Sequence, residues 1–307
     1  MADLPRREHV YQNHHLDSTR WDRFVFREGD VVISTSYKAG TTWMQTIVAN
    51  LVFWDSRIPG PVTEISPWID MRIRPLEPIL AMCEEQRHRR FLKSHLALDG
   101  LPYREDVKYI VVGRDARDVF MSFYNHYSGH TPMLQAMLND TPGRVGPPLP
   151  ECPADIHWLW RQWIRYGWFA WENDGWPYWS HLHHAKTWWE HRHLPNILLV
   201  HYNDLKADLE GEMRRVADYL GIEVGEEAWP RVVRAATFES MKENAAQIVP
   251  LAEMGFQGGA QRFIYKGTNQ RWRGLLTDEE LALYPEAVKR TLPPDAGAWL
   301  EQGGPVR

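Results

Sequence analysis

Residues 31–53 read VVISTSYKAGTTWMQTIVANLVF, and they decide the fold that we predict for this chain. The apolar, β-branched run at 31–33 predicts a buried strand, and the apolar residues from Trp43 to Leu51 recur at helical spacing. A polar turn lies between them. A strand, a tight polar turn and a helix start predict an anion site, because the first N–H groups of a helix lack partners and its dipole is positive there.

The side chains of this turn suit a phosphate-type ligand. Lys38 supplies a full charge, and Gly40 allows the backbone to approach an anion closely. Thr41 and Thr42 can cap the helix or donate their hydroxyls to an anion. The turn does not match the Walker motif, in which the lysine follows the second glycine, since Lys38 precedes the only glycine. From this turn alone, an ordinary strand-to-helix connection with a surface lysine stays open.

The bulk properties narrow the class of protein. The chain has 307 residues, 44% of them hydrophobic, which is enough for one large domain or two small ones. Its net charge of -5 argues against a general nucleic-acid binder. Cys83 and Cys152 form no C-x-x-C pair, which fits a reducing compartment. Without a signal-type leader or a long apolar run, we expect a cytoplasmic protein that has no membrane span.

Two further strand ends carry polar side chains. Residues 90–96 read RFLKSHL, so Lys93 and His95, two apart on a short strand, point the same way. A second strand over residues 108–113 is followed by Arg114, whose forked donors suit a phosphate, and Ser122 follows on the next helix. Ligands of open α/β sheets bind at the carboxyl ends of strands. The alternatives are a structural histidine and a surface charge cluster.

These stretches resemble the sulfotransferases that use 3′-phosphoadenosine 5′-phosphosulfate (PAPS). Six motifs of that family occur in the family's order, over about residues 30–273. They are TSYKAGTTW at 35–43, KSH at 93–95, the Arg-Asp-Ser-Tyr signature at 114–124, YNDL at 202–205, TFESMKEN at 237–244 and FIYKGTNQRWR at 263–273. The runs SPWID at 66–70 and RHLPN at 192–196 look most like the bacterial branch labelled glycolipid sulfotransferase.

The resemblance implies a role for individual residues. His95 would take the proton of the acceptor, Lys38 would stabilise the leaving phosphate, and Lys93 would lie beside the transferred group. The implied cofactor is PAPS, and adenosine 3′,5′-bisphosphate (PAP) is its product. The residues implied to bind it are Lys38, Ala39, Gly40, Thr41, Thr42, Trp43, Arg114, Ser122, Tyr202, Phe238, Lys266 and Gly267.

The chain also departs from the family pattern. Tyr37 replaces a proline of the first loop, and Tyr265 replaces an arginine that would contact the 3′-phosphate. Gln270 and Arg271 replace a Gly-Asp pair, and Arg271 could restore the lost charge from another direction. These changes bear on the strength of 3′-phosphate binding.

We therefore predict one α/β domain over residues 1–307, with a central, mostly parallel sheet flanked by helices and a P-loop-like phosphosulfate loop. The predicted reaction moves a sulfuryl group from PAPS to a hydroxyl of a small hydrophobic alcohol, phenol or glycolipid. The expected partners include no nucleic acid, the oligomeric state is left open, and no metal site is predicted. A nucleotide kinase with a degenerate phosphate loop, or a non-catalytic nucleotide- or carbohydrate-binding module, remains as an alternative.

Residues 129–190, in the middle of the chain, are the Trp-rich, acceptor-side region that the resemblance implies. Residues 131–153 are rich in Pro and Gly and predict a long loop. Nine tryptophans crowd residues 158–189. We expect about a third of them to line an acceptor pocket and the rest to lie in the core, since large aromatic residues dominate both.

Overall fold

A four-stranded, fully parallel sheet organises the computed structural model, which describes residues 4–306. The strands are β1 (Val31–Thr35), β2 (Phe91–Ser94), β3 (Lys108–Gly113) and β4 (Ile197–His201), and their order across the sheet is β2-β1-β3-β4. The α/β class predicted from residues 31–53 is confirmed.

Helices cover the sheet and connect its strands. In chain order they are α1 (Thr41–Val52), α2 (Val62–Ile65), α3 (Leu76–Glu85), α4 (Ala116–Tyr127), α5 (Pro132–Asp140), α6 (Ile156–Trp163), α7 (His181–Glu190), α8 (Tyr202–Ala207), α9 (Leu209–Leu220), α10 (Trp229–Ala235), α11 (Phe238–Glu243), α12 (Ala245–Ile248), α13 (Ala252–Gly255), α14 (Gly259–Phe263), α15 (Asp278–Thr291) and α16 (Pro294–Gln302). Short 3-10 turns occupy Ser18–Arg23, Leu98–Gly100 and Glu226–Ala228.

The sheet separates two apolar cores, because successive side chains of a strand point to opposite faces. Val32 and Tyr109 are paired across β1 and β3 and belong to one core. Ile33 and Ile110, one residue further along, belong to the other. All four side chains are fully buried. Burial on both faces explains the near-continuous apolar runs of these strands, and each such side chain contributes about 2 kcal/mol to stability.

The carboxyl ends of the four strands meet at one edge of the sheet. His95 directly follows β2, Arg114 follows β3, and Tyr202 follows β4. The turn that holds Lys38 follows β1. Parallel pairing alone therefore brings together residues that lie up to about 160 positions apart in the chain.

The segment at 131–153 differs from its prediction. The long loop expected there is wrong in its first part, which forms α5. The Thr131 side chain accepts a hydrogen bond from the Leu134 N–H at 3.3 Å, and Pro132 occupies a first-turn position where its missing N–H costs nothing. Across residues 4–306, none of the helices has both the length and the apolar character needed to cross a membrane.

Candidate active site

One cavity of about 350 Å³ opens at the carboxyl edge of the sheet. All of the predicted site residues line it except Ala39. Ala39 is fully buried, and its N–H donates to the Ser36 carbonyl at 3.3 Å. The predicted residues that the cavity brings together are Lys38, Gly40, Thr41, Thr42, Trp43, Lys93, His95, Arg114, Ser122, Tyr202, Phe238, Lys266 and Gly267.

The turn after β1 presents the start of α1 to this cavity. Gly40 is the N-cap residue, and no side chain caps the first turn, so N–H groups of that turn are open to a ligand. The backbone is unusual at two positions, with φ of 68° at Lys38 and 123° at Gly40. A Cβ at Gly40 would come within 3.1 Å of the Tyr202 ring, which explains the need for glycine there.

Lys38 lies among aromatic and imidazole groups. Its Nζ is 3.2 Å from His126 Nδ1 and 4.4 Å from the centre of the Phe263 ring. His126 Nε2 in turn lies 2.5 Å from the Tyr37 hydroxyl. Burial, together with the nearby positive charges of Lys93 and Arg114, lowers the pKa of Lys38 to about 7. The charge of Lys38 is therefore easily changed near neutral pH.

Lys93 approaches the cavity from the end of β2. Its Nζ lies 4.1 Å from the centre of the Trp68 ring, and burial lowers its pKa to about 8 although Asp70 partly opposes this shift. Trp68 is itself held by a hydrogen bond from its Nε1 to Asp70 Oδ2 at 2.7 Å. Asp70 thus fixes the ring on which Lys93 rests.

His95 is oriented as a neutral base. Its Nδ1 is 2.8 Å from the Thr35 carbonyl, which can only accept, so Nδ1 carries the proton. Its Nε2 then holds a lone pair, and no hydrogen-bond partner of Nε2 occurs within residues 4–306. Burial, followed by the charge of Lys93, holds the pKa of His95 well below its usual range.

Two arginines keep unused donors at the cavity. Arg114 donates to the Lys38 carbonyl at 3.2 Å and to Asn269 Oδ1 at 2.9 Å, and its guanidinium lies 3.8 Å from the centre of the Tyr202 ring. The Nε atoms of Arg114 and Arg271 are buried and lack partners in the described chain. Arg271 also lies 5.3 Å from the Tyr265 ring, so it places a charge beside the position where the sequence lacks an arginine.

Aromatic rings form the neighbouring wall. Trp43 and Tyr202 meet edge to face with centres 5.1 Å apart, and Trp43 Nε1 donates to the Ala236 carbonyl at 2.8 Å. Gly267, at a φ of 63°, packs so closely on Phe238 that a Cβ would come within 2.7 Å of that ring. These rings offer flat apolar faces next to the cations.

The cavity is strongly cationic although the protein as a whole is acidic. Among the described residues that line it there are six lysines and arginines and no Asp or Glu. The six cations are Lys38, Arg74, Lys93, Arg114, Lys266 and Arg271. In a confined site such a distribution favours anionic ligands. The described part of the chain contains no cluster of three or more His, Cys, Asp or Glu groups suited to a metal ion.

Another wall of the cavity is apolar and rich in methionine, and the sequence reasoning missed it. It is built by α5 and by the segment that precedes α14. Several of its side chains are exposed at the mouth, among them Met133, Met137, Leu251 and Met254. The spacing of Met133, Leu134 and Met137 on one helical face was the available signal.

The clustered tryptophans do not line the cavity, so the expectation that about a third of them would do so is wrong. Trp160, Trp163, Trp179, Trp188 and Trp189 are buried in the core instead. Trp179 still contacts the His95 ring from behind, with centres 5.7 Å apart. Three other histidines, His15, His126 and His130, do line the cavity and were not predicted.

Comparison with known proteins finds one family. A family model described as "Sulfotransferase domain" matches residues 28–293. The chain is 34% identical to the glycolipid sulfotransferase of Mycobacterium tuberculosis (strain ATCC 25618 / H37Rv), over 96% of this chain and 94% of the relative. It is 29% identical to sulfotransferase 1A1 of Rattus norvegicus, over 81% and 79% of the two chains.

A solved structure shares the fold. The crystal structure of mouse sulfotransferase SULT7A1 complexed with PAP has a TM-score of 0.68 to this chain at 20% sequence identity, and the match covers 92% of each chain. The shared architecture includes the central parallel sheet on which the cavity is built.

Proposed function

Since the chain belongs to the sulfotransferase family, we propose that the cavity described above binds PAPS and a hydroxyl acceptor next to each other. The activity is PAPS-dependent transfer of a sulfuryl group to a hydroxyl. The observation that carries the assignment of the site is its lining of six cations without a carboxylate, beside the neutral His95.

The residues present fit the nucleotide. The Nε–H groups of Arg114 and Arg271 have no hydrogen-bond acceptor in the described chain, and the oxygens of a 3′-phosphate could accept from them. Ser122 and Lys266 line the same cavity and would add to this contact. Trp43, Tyr202 and Phe238 provide the flat apolar faces that a purine base needs.

The start of α1 fits the 5′ side of the nucleotide. The open N–H groups of its first turn, the hydroxyls of Thr41 and Thr42, and the cation of Lys38 would surround that group. PAPS supplies an activated sulfuryl group whose departure leaves negative charge on a phosphate. Lys38 and the α1 dipole stabilise such charge without reorganising, which is the main means by which a site of this kind lowers a barrier.

His95 would accept the proton of the acceptor hydroxyl at Nε2. The Thr35 carbonyl holds the ring in the required tautomer, and the low pKa of His95 keeps it neutral at physiological pH. Negative charge bound between Lys38 and Lys93 would offset the positive charge that lowers this pKa, which makes His95 a stronger base when the donor is bound.

The acceptor would occupy the apolar wall. Met133, Leu134 and Met137 of α5 line the same cavity as the cations. A surface of this kind accommodates a small hydrophobic alcohol, a phenol or the lipid part of a glycolipid. The name of the mycobacterial relative supports the last of these classes.

The cellular setting is also part of the proposal. Cys83 and Cys152 are both unpaired, and burial raises the pKa of Cys83 to about 11, so it is an inert thiol. Unpaired cysteines fit a cytoplasmic enzyme, and residues 1–307 would form its single domain.

Calorimetric titration tests the assignment of the donor site. We expect PAP to bind much more tightly than 5′-AMP, because only PAP carries the 3′-phosphate that Arg114 would hold. ATP, with or without Mg²⁺, is the control for the kinase alternative. Preference for Mg-ATP would reject the proposal.

Two variants separate binding from chemistry. Arg114→Ala should lower the affinity for PAP by at least tenfold, since a charge-assisted contact contributes about 1.5–3 kcal/mol. His95→Ala should leave PAP binding within about twofold and reduce turnover by 10²–10⁴-fold, the usual contribution of a general base. Normal turnover by the His95 variant would exclude it as the base.

A further inference from the structure

A second imidazole with a free ring nitrogen lies close to His95. Four histidines line the cavity. Two of them have both ring nitrogens engaged. His126 contacts Lys38 and Tyr37, and His130 contacts Gln135 and Tyr178. The other two, His95 and His15, each engage only Nδ1 among the described residues.

The tautomer of His15 follows from its neighbours. His14 Nε2 lies 2.8 Å from the Pro177 carbonyl, which only accepts, so Nε2 of His14 carries the proton. Neutral His14 therefore has a lone pair at Nδ1. That atom is in contact with His15 Nδ1, which must then be the protonated one. Nε2 of His15 is consequently an unprotonated acceptor.

Both histidines are neutral in this setting. Burial is the largest cause of the lowered pKa of His14, to about 3, and it also holds the pKa of His15 well below the usual range. The other groups that act on His15 are His14, His130, His95 and Arg72, and all of them oppose its protonation. The proton positions on His14 and His15 thus apply at physiological pH.

His15 and His95 belong to the same part of the cavity. Tyr37 contacts both rings, with centres 6.1 Å from His15 and 5.2 Å from His95. Trp179 also contacts both, at 5.7 Å in each case. His15 is 2% exposed, so its ring as a whole is shielded from bulk water. A buried acceptor of this kind is normally satisfied by a hydrogen-bond donor.

We propose that His15 accepts a hydrogen bond from a second hydroxyl of the acceptor, and that the acceptor is therefore a polyhydroxylated compound such as a sugar headgroup. This inference rests on the proposed function, in which His95 takes the proton of the hydroxyl that is sulfated. His15 does not take a proton in the reaction, and it selects and orients the molecule that carries the reacting hydroxyl. The apolar wall holds the rest of that molecule.

Sulfation of n-octyl β-D-glucopyranoside and of its monodeoxy analogues tests the proposal. Removal of the sulfated hydroxyl should abolish turnover in every variant. Removal of one other hydroxyl should lower kcat/KM of the wild-type enzyme about tenfold, the effect of one lost hydrogen bond. His15→Phe keeps an aromatic ring against Tyr178 and Trp179. This variant should show the same low kcat/KM with the intact glucoside and with the analogue that lacks the second hydroxyl.

His15→Gln is the second variant, because its amide oxygen can accept and should restore part of the discrimination. PAP titration and thermal unfolding of each variant report on folding and on the donor site. The inference is overturned if the wild-type enzyme binds PAP and sulfates 1-octanol with the same kcat/KM as the glucoside. The proposed function would then remain intact. The inference also fails if no analogue is discriminated in a His15-dependent way. Loss of PAP binding by wild-type protein would instead reject the function itself.

Discussion

At the scale of one residue, the protonation state of Lys38 is expected to change when an anion binds. Its pKa of about 7 means that a large fraction of the side chain is uncharged in the free protein at pH 8. An anion bound beside it favours the charged form and raises the pKa. We therefore expect binding of an anionic ligand to be accompanied by proton uptake.

The first prediction concerns this uptake. At pH 8, PAP binding should take up between about half a proton and one proton at Lys38, with a further contribution from Lys93, whose pKa is about 8. At pH 6 both lysines are already charged, and uptake should be small. Affinity should accordingly fall as the pH rises from 7 to 9. Titration in HEPES and Tris, which differ in ionisation enthalpy, measures the protons directly.

Lys38→Arg is the matched control because an arginine stays protonated throughout this range. It should abolish most of the uptake at pH 8 while PAP still binds. Uptake that is unchanged in this variant would assign the proton to another group.

Individual site residues could be predicted wherever they directly follow a strand or lie in the first turn of a helix. His95 and Arg114 are examples, since parallel pairing places strand ends together whatever the intervening sequence. His15 and His126 could not be predicted in this way. Their place at the cavity depends on how the segment before β1 and the helix α4 pack, and no local pattern encodes that packing.

At the scale of one element, the start of α1 depends on the backbone conformation of Gly40. Its φ of 123° is costly for any other residue, and a Cβ would crowd the Tyr202 ring. The first turn can present its N–H groups only if this conformation is kept.

We predict that Gly40→Ala lowers the free energy of unfolding by about 1–3 kcal/mol and also lowers the affinity for PAP at least tenfold. Gly143→Ala is the matched control, because Gly143 also has a positive φ, of 84°, but a Cβ there would meet no atom within 4 Å beyond its chain neighbours. It should cost stability without changing PAP affinity. Denaturant unfolding and calorimetry measure the two effects, and equal PAP affinity of both variants would refute the role of the turn.

Elements were predictable where a local signal was strong, as in β1 and α1. The helix α5 was not predicted because the Pro- and Gly-rich composition of 131–153 outweighed the capping signal of Thr131 and Pro132. The tryptophans of α6 and α7 were partly misassigned for a related reason. A large aromatic side chain fits a core and a pocket equally well, and tertiary packing decides between them.

At the scale of the whole molecule, the proposed donor site joins parts of the chain that are distant in sequence. The turn at Lys38, the end of β3 at Arg114, the end of β4 at Tyr202 and the segment at Lys266 all contribute to it. A ligand held by all of them binds only the folded state, so its binding energy adds to global stability.

We predict that PAP at 100 times its dissociation constant stabilises the protein by about 2.7 kcal/mol, which corresponds to a rise in Tm of about 4 °C for a chain of this length. The same concentration of 5′-AMP should give a smaller rise. In the Arg114→Ala variant, PAP and 5′-AMP should raise the Tm by nearly equal amounts. Scanning calorimetry measures these shifts, and equal shifts in the wild-type protein would show that the 3′-phosphate is not recognised.

The two walls of the cavity belong to different parts of the chain, so the range of acceptors can be changed separately from the strand-end cations. Lys38, Lys93 and Arg114 of the cationic lining are attached to the strand ends, whereas the methionine-rich wall comes from α5 and the segment around Met254. Under the proposed function, exchanging only those two surface segments should alter which molecules are sulfated and leave the strand-end cations in place. Diversification of substrate range, by selection or in the laboratory, can therefore proceed without rebuilding the fold.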